Sequence, residues 1–426
     1  MPLHRIFESE GYDYLLVVPH SRIFSVEKQF TAALVRGESW AVKLVKELTH
    51  EVGNEQPLDQ VPLTTPQSIS LNVSHTCNLG CSYCYAGQGG FGGKQSSSMS
   101  WDVARAAVDR LFALAEPGPI TIGFLGGEPF LNRALIHRVV TYASDLGNGT
   151  RRDVRFSVTT NGTMLSADDI SMFRRNRFAV TISIDGGAEL QDLQRPMRTG
   201  KSSFAALRTA ITPLLESPGM ARVAARSTVL RSNLHLRERF TTLIELGFPE
   251  VGFSPLRQPL ESPNAFTAVD WPQYLEELSS LASEQSNAAL RGESIRLSNL
   301  AIALKQLKRG FSMPFPCSAG GGYFSVSSDG NWFACHRAIG DQAYHMGDNS
   351  GLDSARRREF LQTRHVEAQV DCQRCWARYL CAGGCHQEAA ARTTSSCDFI
   401  RGWLERCIRI YGELLSKRPA WLAQLS

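Results

Sequence analysis

From residue 67 to residue 256 the chain alternates two kinds of pattern. Short runs of β-branched and aromatic residues (Ser68 to Val73, Ile120 to Leu125, Val154 to Thr159, Phe178 to Ile184, Val223 to Val229 and Val251 to Leu256) are separated by stretches with helical apolar spacing. An interval of roughly 25 to 50 residues per unit predicts repeated β-α units with parallel strands. Six such units predict an α/β fold built as a partial (β/α)6 barrel, with its site at the C-terminal ends of the strands. Ahead of them, Tyr12 to Val18 and Ile23 to Val26 read as a hairpin joined through Pro19, His20, Ser21 and Arg22. Helical segments follow from Glu27 to Arg36 and from Trp40 to Leu48, and Gln60 to Pro66 reads as a linker. Near the end, Trp403, Leu404, Ile408, Tyr411, Leu414 and Leu415 form one helical stripe, in which Cys407 reads as a small buried thiol.

A chain of 426 residues exceeds one ordinary core, and size priors favour about three units. The pattern divides it into residues 1–66, a small α+β unit and linker; 67–300, the barrel; and 301–426, a cysteine-rich unit. The 45 basic and 41 acidic residues leave a formal charge of +4, too small and scattered to argue for nucleic acid. Arg356 to Arg358 reads as a solvated helix face, and Ser96 to Ser98 as a short polar stretch. No apolar run is long enough for a bilayer and no secretory pattern stands at the start, so no membrane partner and a cytoplasmic location are expected. Thiols stay reduced there, and eleven cysteines then favour metal over disulfides.

Ten of the eleven cysteines fall into two spaced constellations. The first is Cys77, Cys81 and Cys84, a C-x3-C-x2-C run with Tyr83 before the last thiol. Three thiolates on one loop would leave one iron of a cubane open for catalysis. A zinc site would show paired half-sites and a fourth ligand, which this run lacks. The run resembles the defining motif of the radical S-adenosylmethionine (SAM) superfamily. That resemblance implies a TIM-like partial barrel and a 4Fe-4S cluster whose open iron binds SAM. Electron transfer from the cluster to SAM would then yield a hydrogen-abstracting radical.

The resemblance extends along the strand ends. Gly126, Gly127, Glu128 and Pro129 match the GGEP motif, which implies a hold on the SAM amino group. Thr160, Asn161 and Gly162, and Ser183, Asp185 and Gly186, are implied around its ribose and methionine part. Arg195, in a segment similar to the HDxxR of peptide-modifying members, is implied to face the SAM carboxylate. Gln191 stands where that segment usually has histidine, which argues against a role for this position.

The second constellation runs Cys317, Gly330, Cys335, then Cys372, Cys375, Cys381, Cys385, and finally Cys397. It resembles the SPASM extension of radical SAM peptide maturases, which implies an iron-sulfur domain with two auxiliary 4Fe-4S clusters, three in all. By that resemblance Cys317, Cys335 and Cys385 hold one and Cys372, Cys375, Cys381 and Cys397 the other. The first set lacks a fourth cysteine, which leaves an open iron or another ligand.

Residues 85 to 93, Tyr-Ala-Gly-Gln-Gly-Gly-Phe-Gly-Gly, are similar to a stretch in thioether-forming peptide maturases, including the one that matures quinohemoprotein amine dehydrogenase. The main functional expectation is therefore a radical SAM maturase. It would abstract hydrogen from a ribosomal peptide or protein and form a thioether or carbon-carbon crosslink, a net two-electron oxidation. The alternative on the same scaffold is oxidation of a Cys or Ser side chain to formylglycine, as in sulfatase-maturing enzymes. A third reading, of another class, is a non-catalytic iron-sulfur or zinc protein. The resemblance implies a peptide or protein substrate whose leader segment binds the N-terminal unit, and a flavodoxin or ferredoxin as electron donor. The pattern identifies no general base.

Overall fold

The computed structural model describes residues 3–9, 11–50, 61–87, 90, 98–256 and 264–425. Gln60 of the expected linker, Ser96 and Ser97, and residues 88–89 and 91–93 of the glycine-rich run lie outside them.

The N-terminal unit is a three-stranded antiparallel sheet of β1 (His4–Ser9), β2 (Tyr12–Val17) and β3 (Arg22–Val26), followed by α1 (Lys28–Val35) and α2 (Ser39–His50). The sequence pattern showed only the hairpin. β1 has two apolar residues in six and acquires its structure by pairing, Phe7 opposite Tyr14. The unbroken apolar run of β2 follows from burial on both faces. Leu15 and Val17 pack with Phe30, Leu34 and Val45 of the two helices, whereas Tyr14 and Leu16 join the core of the whole molecule.

That core surrounds a ten-stranded sheet in the order β13-β12-β11-β10-β4-β5-β6-β7-β8-β9. The six expected runs are β4 (Ser68–Ser74), β5 (Ile120–Gly126), β6 (Val154–Thr160), β7 (Phe178–Ser183), β8 (Arg222–Val229) and β9 (Val251–Pro255). All are parallel. Between them lie α3 (Trp101–Leu114), α4 (Arg133–Thr150), α5 (Ala167–Arg175), α6 (Ala188–Gln194), α7 (Ser203–Glu216) and α8 (Leu236–Glu245). After β9 come α9 (Asp270–Leu290) and α10 (Ser298–Arg309). Then β10 (Tyr323–Val326) pairs parallel with β4, and β11 (Asn331–Phe333), β12 (His345–Asp348) and β13 (Gly351–Leu352) extend the sheet antiparallel. The sheet thus crosses the boundary expected at residue 300. The chain ends in α11 (Ser354–Arg364), α12 (Val370–Gln373), α13 (Arg378–Cys381), α14 (Thr394–Lys417) and α15 (Pro419–Gln424).

Strand alternation sorts the two faces of the sheet. Ile122, Phe124, Phe156, Val158, Phe178, Val180 and Ile182 are buried, and the rings of Phe124, Phe156 and Phe178 stack with centroids 5.2 to 6.4 Å apart. The alternate residues Ser70, Thr121, Gly123, Ser157, Thr159, Ser183 and Thr228 line a cavity. These short side chains do not fill the space between the strands as a packed barrel interior would, and so leave room for a guest.

The N-terminal sheet is fastened to α14. Tyr14 donates its hydroxyl hydrogen to the Gly412 carbonyl at 2.9 Å, and Arg5 pairs with Glu405 at 3.0 Å. Gly412 lets the ring approach, since a Cβ there would stand 2.7 Å from it. Tyr14→Phe should cost about 1 kcal/mol in urea unfolding. Gly412→Val should displace the unit and expose residues 1–50 to limited proteolysis.

Candidate active site

β4 runs straight into the cysteine loop, and the end of β5 closes on it from the side. The Gly127 N–H bonds the Ser74 carbonyl and the Glu128 N–H bonds the Thr76 carbonyl, both at 2.8 Å. A Cβ on Gly126, whose φ is +152°, would stand 2.4 Å from the Ser74 oxygen, and one on Gly127 would stand 2.2 Å from the Thr76 oxygen and 3.1 Å from Cys77 Cβ. Both glycines are therefore required by the packing of β5 against the loop.

Glu128 is fully buried and its carboxylate is already engaged. It accepts from the Thr160 hydroxyl at 2.6 Å, the Asn161 N–H at 2.8 Å and the Phe130 N–H at 3.1 Å. Burial pushes its pKa up against the pull of those three donors. It braces the ends of β5 and β6 from behind the cavity wall, and is not among the residues lining the cavity.

A second buried carboxylate, Asp185, follows β7. Arg195 grips it with two hydrogen bonds of 3.0 and 3.2 Å, the Thr228 N–H donates at 2.8 Å, and the Tyr83 hydroxyl donates to the same oxygen as Arg195 Nε. The guanidinium also lies 5.2 Å from the centre of the Tyr83 ring. Burial pulls the Arg195 pKa down, but Asp185 and the charges of Tyr83 and Cys81 outweigh it, so the group is held charged. Gln191 has a role after all: its side-chain oxygen accepts the Asp185 N–H at 2.8 Å. An amide oxygen does this without titrating, so the substitution of the usual histidine suits the position. Arg239 was missed by sequence reasoning. It is buried in α8 and donates to the Asp185 carbonyl at 2.6 Å and the Thr228 carbonyl at 2.7 Å.

The thiols sort into three groups by mutual influence. Burial raises Cys81 to about 11, with Cys77 and Cys84 adding to the rise. Burial likewise raises Cys335 to about 11, with Cys385 and Cys317 contributing. Cys381 also reaches about 11 through burial, helped by Cys372, Cys375 and Cys397. These are the sets implied by resemblance. A local backbone device explains how Cys381 and Cys385, four residues apart, join different sets. Ala382, Gly383 and Gly384 take φ of +53°, +77° and +77° in succession and turn the chain sharply. Cys397 enters from the first turn of α14, fixed by a Thr393–Ser396 capping box. Cys407 is fully buried in the same helix, as a core thiol should be.

Donors surround the sulfurs. The Leu79 N–H lies 3.4 Å from Cys77, the Arg337 N–H 3.5 Å from Cys335, and Arg392 3.3 Å from Cys372. Such contacts favour thiolate and tune a cluster. Within each set the thiols do not close on a point. Among the described residues no group of three or more His, Cys, Asp or Glu is arranged to hold a single metal ion. A cubane distributes its thiolates over separate irons, so its ligands need not close on one point.

One cavity of about 1180 Å³ joins them. Its lining includes Cys77, Cys81, Cys84, Cys317, Cys335, Cys381, Cys385 and Cys397, with Tyr83, Gly126, Gly127, Asn161, Ser183 and Arg195. Pro129, Asp185, Cys372 and Cys375 stand outside the lining. The cavity also brings in Tyr85, from the start of the glycine-rich run, and Tyr323, His336, Arg337 and Glu388, for which the sequence carried no signal. Tyr85 and His336 meet edge to face, so the residue after the first cysteine loop touches the residue after Cys335.

The signature of the Radical SAM superfamily matches residues 71–217. Residues 71–217 carry a radical SAM domain. Such a domain takes SAM and a 4Fe-4S cluster. The chain is 32% identical over 190 residues to an uncharacterised protein of Methanocaldococcus jannaschii, covering 44% of this chain and 62% of that one. It therefore spans less than two thirds of that relative. The cysteine-type anaerobic sulfatase-maturating enzyme of Clostridium novyi is 26% identical over 75% of this chain and 88% of its own. The serine-type enzyme of Klebsiella pneumoniae is 25% identical over 85% and 95%. Among solved structures, native anSMEcpe with bound AdoMet superposes with a TM-score of 0.70 at 19% identity, over 82% of this chain and 100% of that one. SuiB of Streptococcus suis bound to precursor peptide SuiA gives 0.55 at 10%, over 92% and 97%. These two likenesses show the fold. Among the described residues no helix is long and apolar enough to cross a membrane.

Asp185→Asn leaves the buried Arg195 without its counter-charge and should cost about 3–5 kcal/mol in denaturant unfolding. The buried thiols give the apoprotein a pH dependence. Their folded pKa values lie near 11, above the ordinary 9.0, so the neutral form stabilises the fold below pH 9 and that contribution disappears as pH rises through 11. The urea midpoint of the apoprotein should fall between pH 9 and 11. Iron-loaded protein, its thiols already ionised, should lack this component.

Proposed function

We propose that this chain oxidises a side chain of a peptide or protein by two electrons, with formylglycine formation from Cys or Ser, as in sulfatase maturation, as the first reading. One observation carries it: thiols from both ends of the chain line a single cavity with the residues expected around SAM. Curated sulfatase-maturating relatives that match most of the chain support the side-chain chemistry. The cavity would be a cytoplasmic reaction chamber for three 4Fe-4S clusters, held by Cys77, Cys81 and Cys84; by Cys317, Cys335 and Cys385; and by Cys372, Cys375, Cys381 and Cys397.

When bound and reduced, SAM and its cluster supply a carbon radical that abstracts one hydrogen atom from substrate. Tyr83, Gly126, Gly127, Asn161, Ser183 and Arg195 would shape the cofactor's seat, with Glu128, Pro129 and Asp185 fixing them from behind. Converting a serine CH2–OH to an aldehyde removes one hydrogen atom, one proton and one electron. The electron would pass to the auxiliary thiol sets and out to a flavodoxin or ferredoxin, which also supplies the initial reduction. Among the described residues Glu388 is the one carboxylate in the lining, and it pairs with Arg337. We assign it the proton.

The substrate's remote segment would be gripped by the N-terminal unit. Among the described residues β3 pairs only with β2, and an added strand would pair along its other edge. Such binding away from the reacting bond supplies orientation.

Crosslink formation, thioether or carbon-carbon, is the second reading. It is favoured by the missing fourth thiol of the Cys317 set, which leaves a position for a substrate sulfur. A hydrazide probe separates the two, because an aldehyde product reacts and a crosslinked one, also two hydrogens lighter, does not. Reconstituted protein should carry about 12 irons with equal sulfide; about four irons with zinc would remove the auxiliary clusters from the reading. Glu388→Gln should lower product formation at least tenfold while reductive cleavage of SAM continues. Equal loss of both would show that Glu388 acts on the fold or the clusters.

A further inference from the structure

The two auxiliary thiol sets differ by one charge. Cys372, Cys375, Cys381 and Cys397 are four thiolates when they hold a cluster, and Cys317, Cys335 and Cys385 are three. Net charge and the donors around the sulfurs set a cluster's reduction potential, so the fourth thiolate alone would make its cluster the harder of the two to reduce. One cation stands against it. Arg392 donates to Cys372 Sγ at 3.3 Å, to Gln369 Oε1 at 2.9 Å and to the Gly383 carbonyl at 2.6 Å. Gly383 lies in the sharp turn between Cys381 and Cys385, so the guanidinium sits at the seam of the two sets, and the residue lines the cavity they share.

What distinguishes Arg392 is the lack of a carboxylate. Arg195, whose charge reaches Cys81, is paired with Asp185, and Arg337, whose Nη1 stands 4.0 Å from Cys385 Sγ, is paired with Glu388. Arg401, beside Cys375, is paired with Asp398 at 2.5 Å. Arg392 has no ion pair among the described residues, and a guanidinium keeps its charge at every working pH. Its reach covers several thiols of the set. Burial raises the pKa of Cys372, Cys381 and Cys397, and the charge of Arg392 opposes the rise at each. Asp371 pulls the other way at Cys372 and Cys397, but it is exposed, and water weakens its field.

We propose that Arg392 is the counter-charge of the cluster held by Cys372, Cys375, Cys381 and Cys397. By offsetting the fourth thiolate it raises that cluster's potential toward that of the Cys317, Cys335 and Cys385 cluster, so that the electron taken from substrate moves readily between them. The proposal rests on the reading of both sets as 4Fe-4S clusters. The step is a one-electron exchange in which one cluster is oxidised as the other is reduced, and no bond is made or broken. Arg392 is thus a tuning residue that acts through the cluster.

Redox titration of the reconstituted protein, followed by electron paramagnetic resonance, reads the cluster midpoints directly. Arg392→Gln should lower one midpoint by at least about 59 mV, a tenfold change in a one-electron equilibrium, and leave the others in place at unchanged iron content. Arg392→Lys should recover part of the fall. Gln369→Glu puts the missing carboxylate beside an intact Arg392 and should lower the same midpoint, which keeps the test open where Arg392→Gln loads iron poorly. Unshifted midpoints in Arg392→Gln, or in Gln369→Glu where the first variant loses iron, overturn the proposal. Equal falls in Arg392→Gln and Arg392→Lys also overturn it, since packing and not charge would then be the cause. Wild-type protein with only about four irons removes the underlying reading, and the counter-charge with it.

Discussion

Asp185 is the carboxylate on which the site's architecture turns. Through it the cysteine loop, reached by Tyr83, is tied to the end of β7, to α6 through Arg195 and Gln191, and to β8 through Thr228. Its carbonyl is separately pinned by Arg239 of α8. An isolated buried charge would be costly, and satisfaction on every side turns that cost into positional rigidity. The loop that presents three thiols is thereby referenced to strands on the far side of the sheet.

The opposite wall is set by steric constraint. At Gly126 and Gly127 the backbones of β5 and the cysteine loop approach too closely for any side chain. Glu128 fixes the depth of that approach through Thr160 and Asn161. One carboxylate acts by gathering donors and the other by gathering a cation. Neither needs to enter the cavity to determine its shape.

The six parallel strands were legible because each is a buried, β-branched run bounded by turn residues, whereas the thiol sets were implied only by resemblance to the SPASM extension. The missed β1 has no such run and depends on its neighbour. The division at residue 300 could not foretell that β10 adds to the barrel sheet beside β4, since register between distant segments leaves no local mark. Around the site, residues in motifs could be found, but their orientation could not. Glu128 and Asp185 look alike as strand-end carboxylates suited to a ligand, and both turned out to be engaged by the protein itself. Gln191 looked like a lost histidine, and only its contact with the Asp185 N–H shows what it does. Arg392 and Glu388 sit in no motif and emerge only from the folding back of the C-terminal segment.

The helix α14 carries Cys397 in its first turn and Gly412, the seat of the N-terminal sheet, near its other end. Between them the helix rises about 22 Å at 1.5 Å per residue. On the proposed reading this rod is a ruler. A substrate held at the N-terminal sheet must cross that span in extended chain, at about 3.3 Å per residue, before any of its atoms reaches the thiols. About seven residues, at the least, would separate the part of a substrate that is recognised from the part that is changed. The enzyme would then select its target residue by distance along the chain as much as by chemistry.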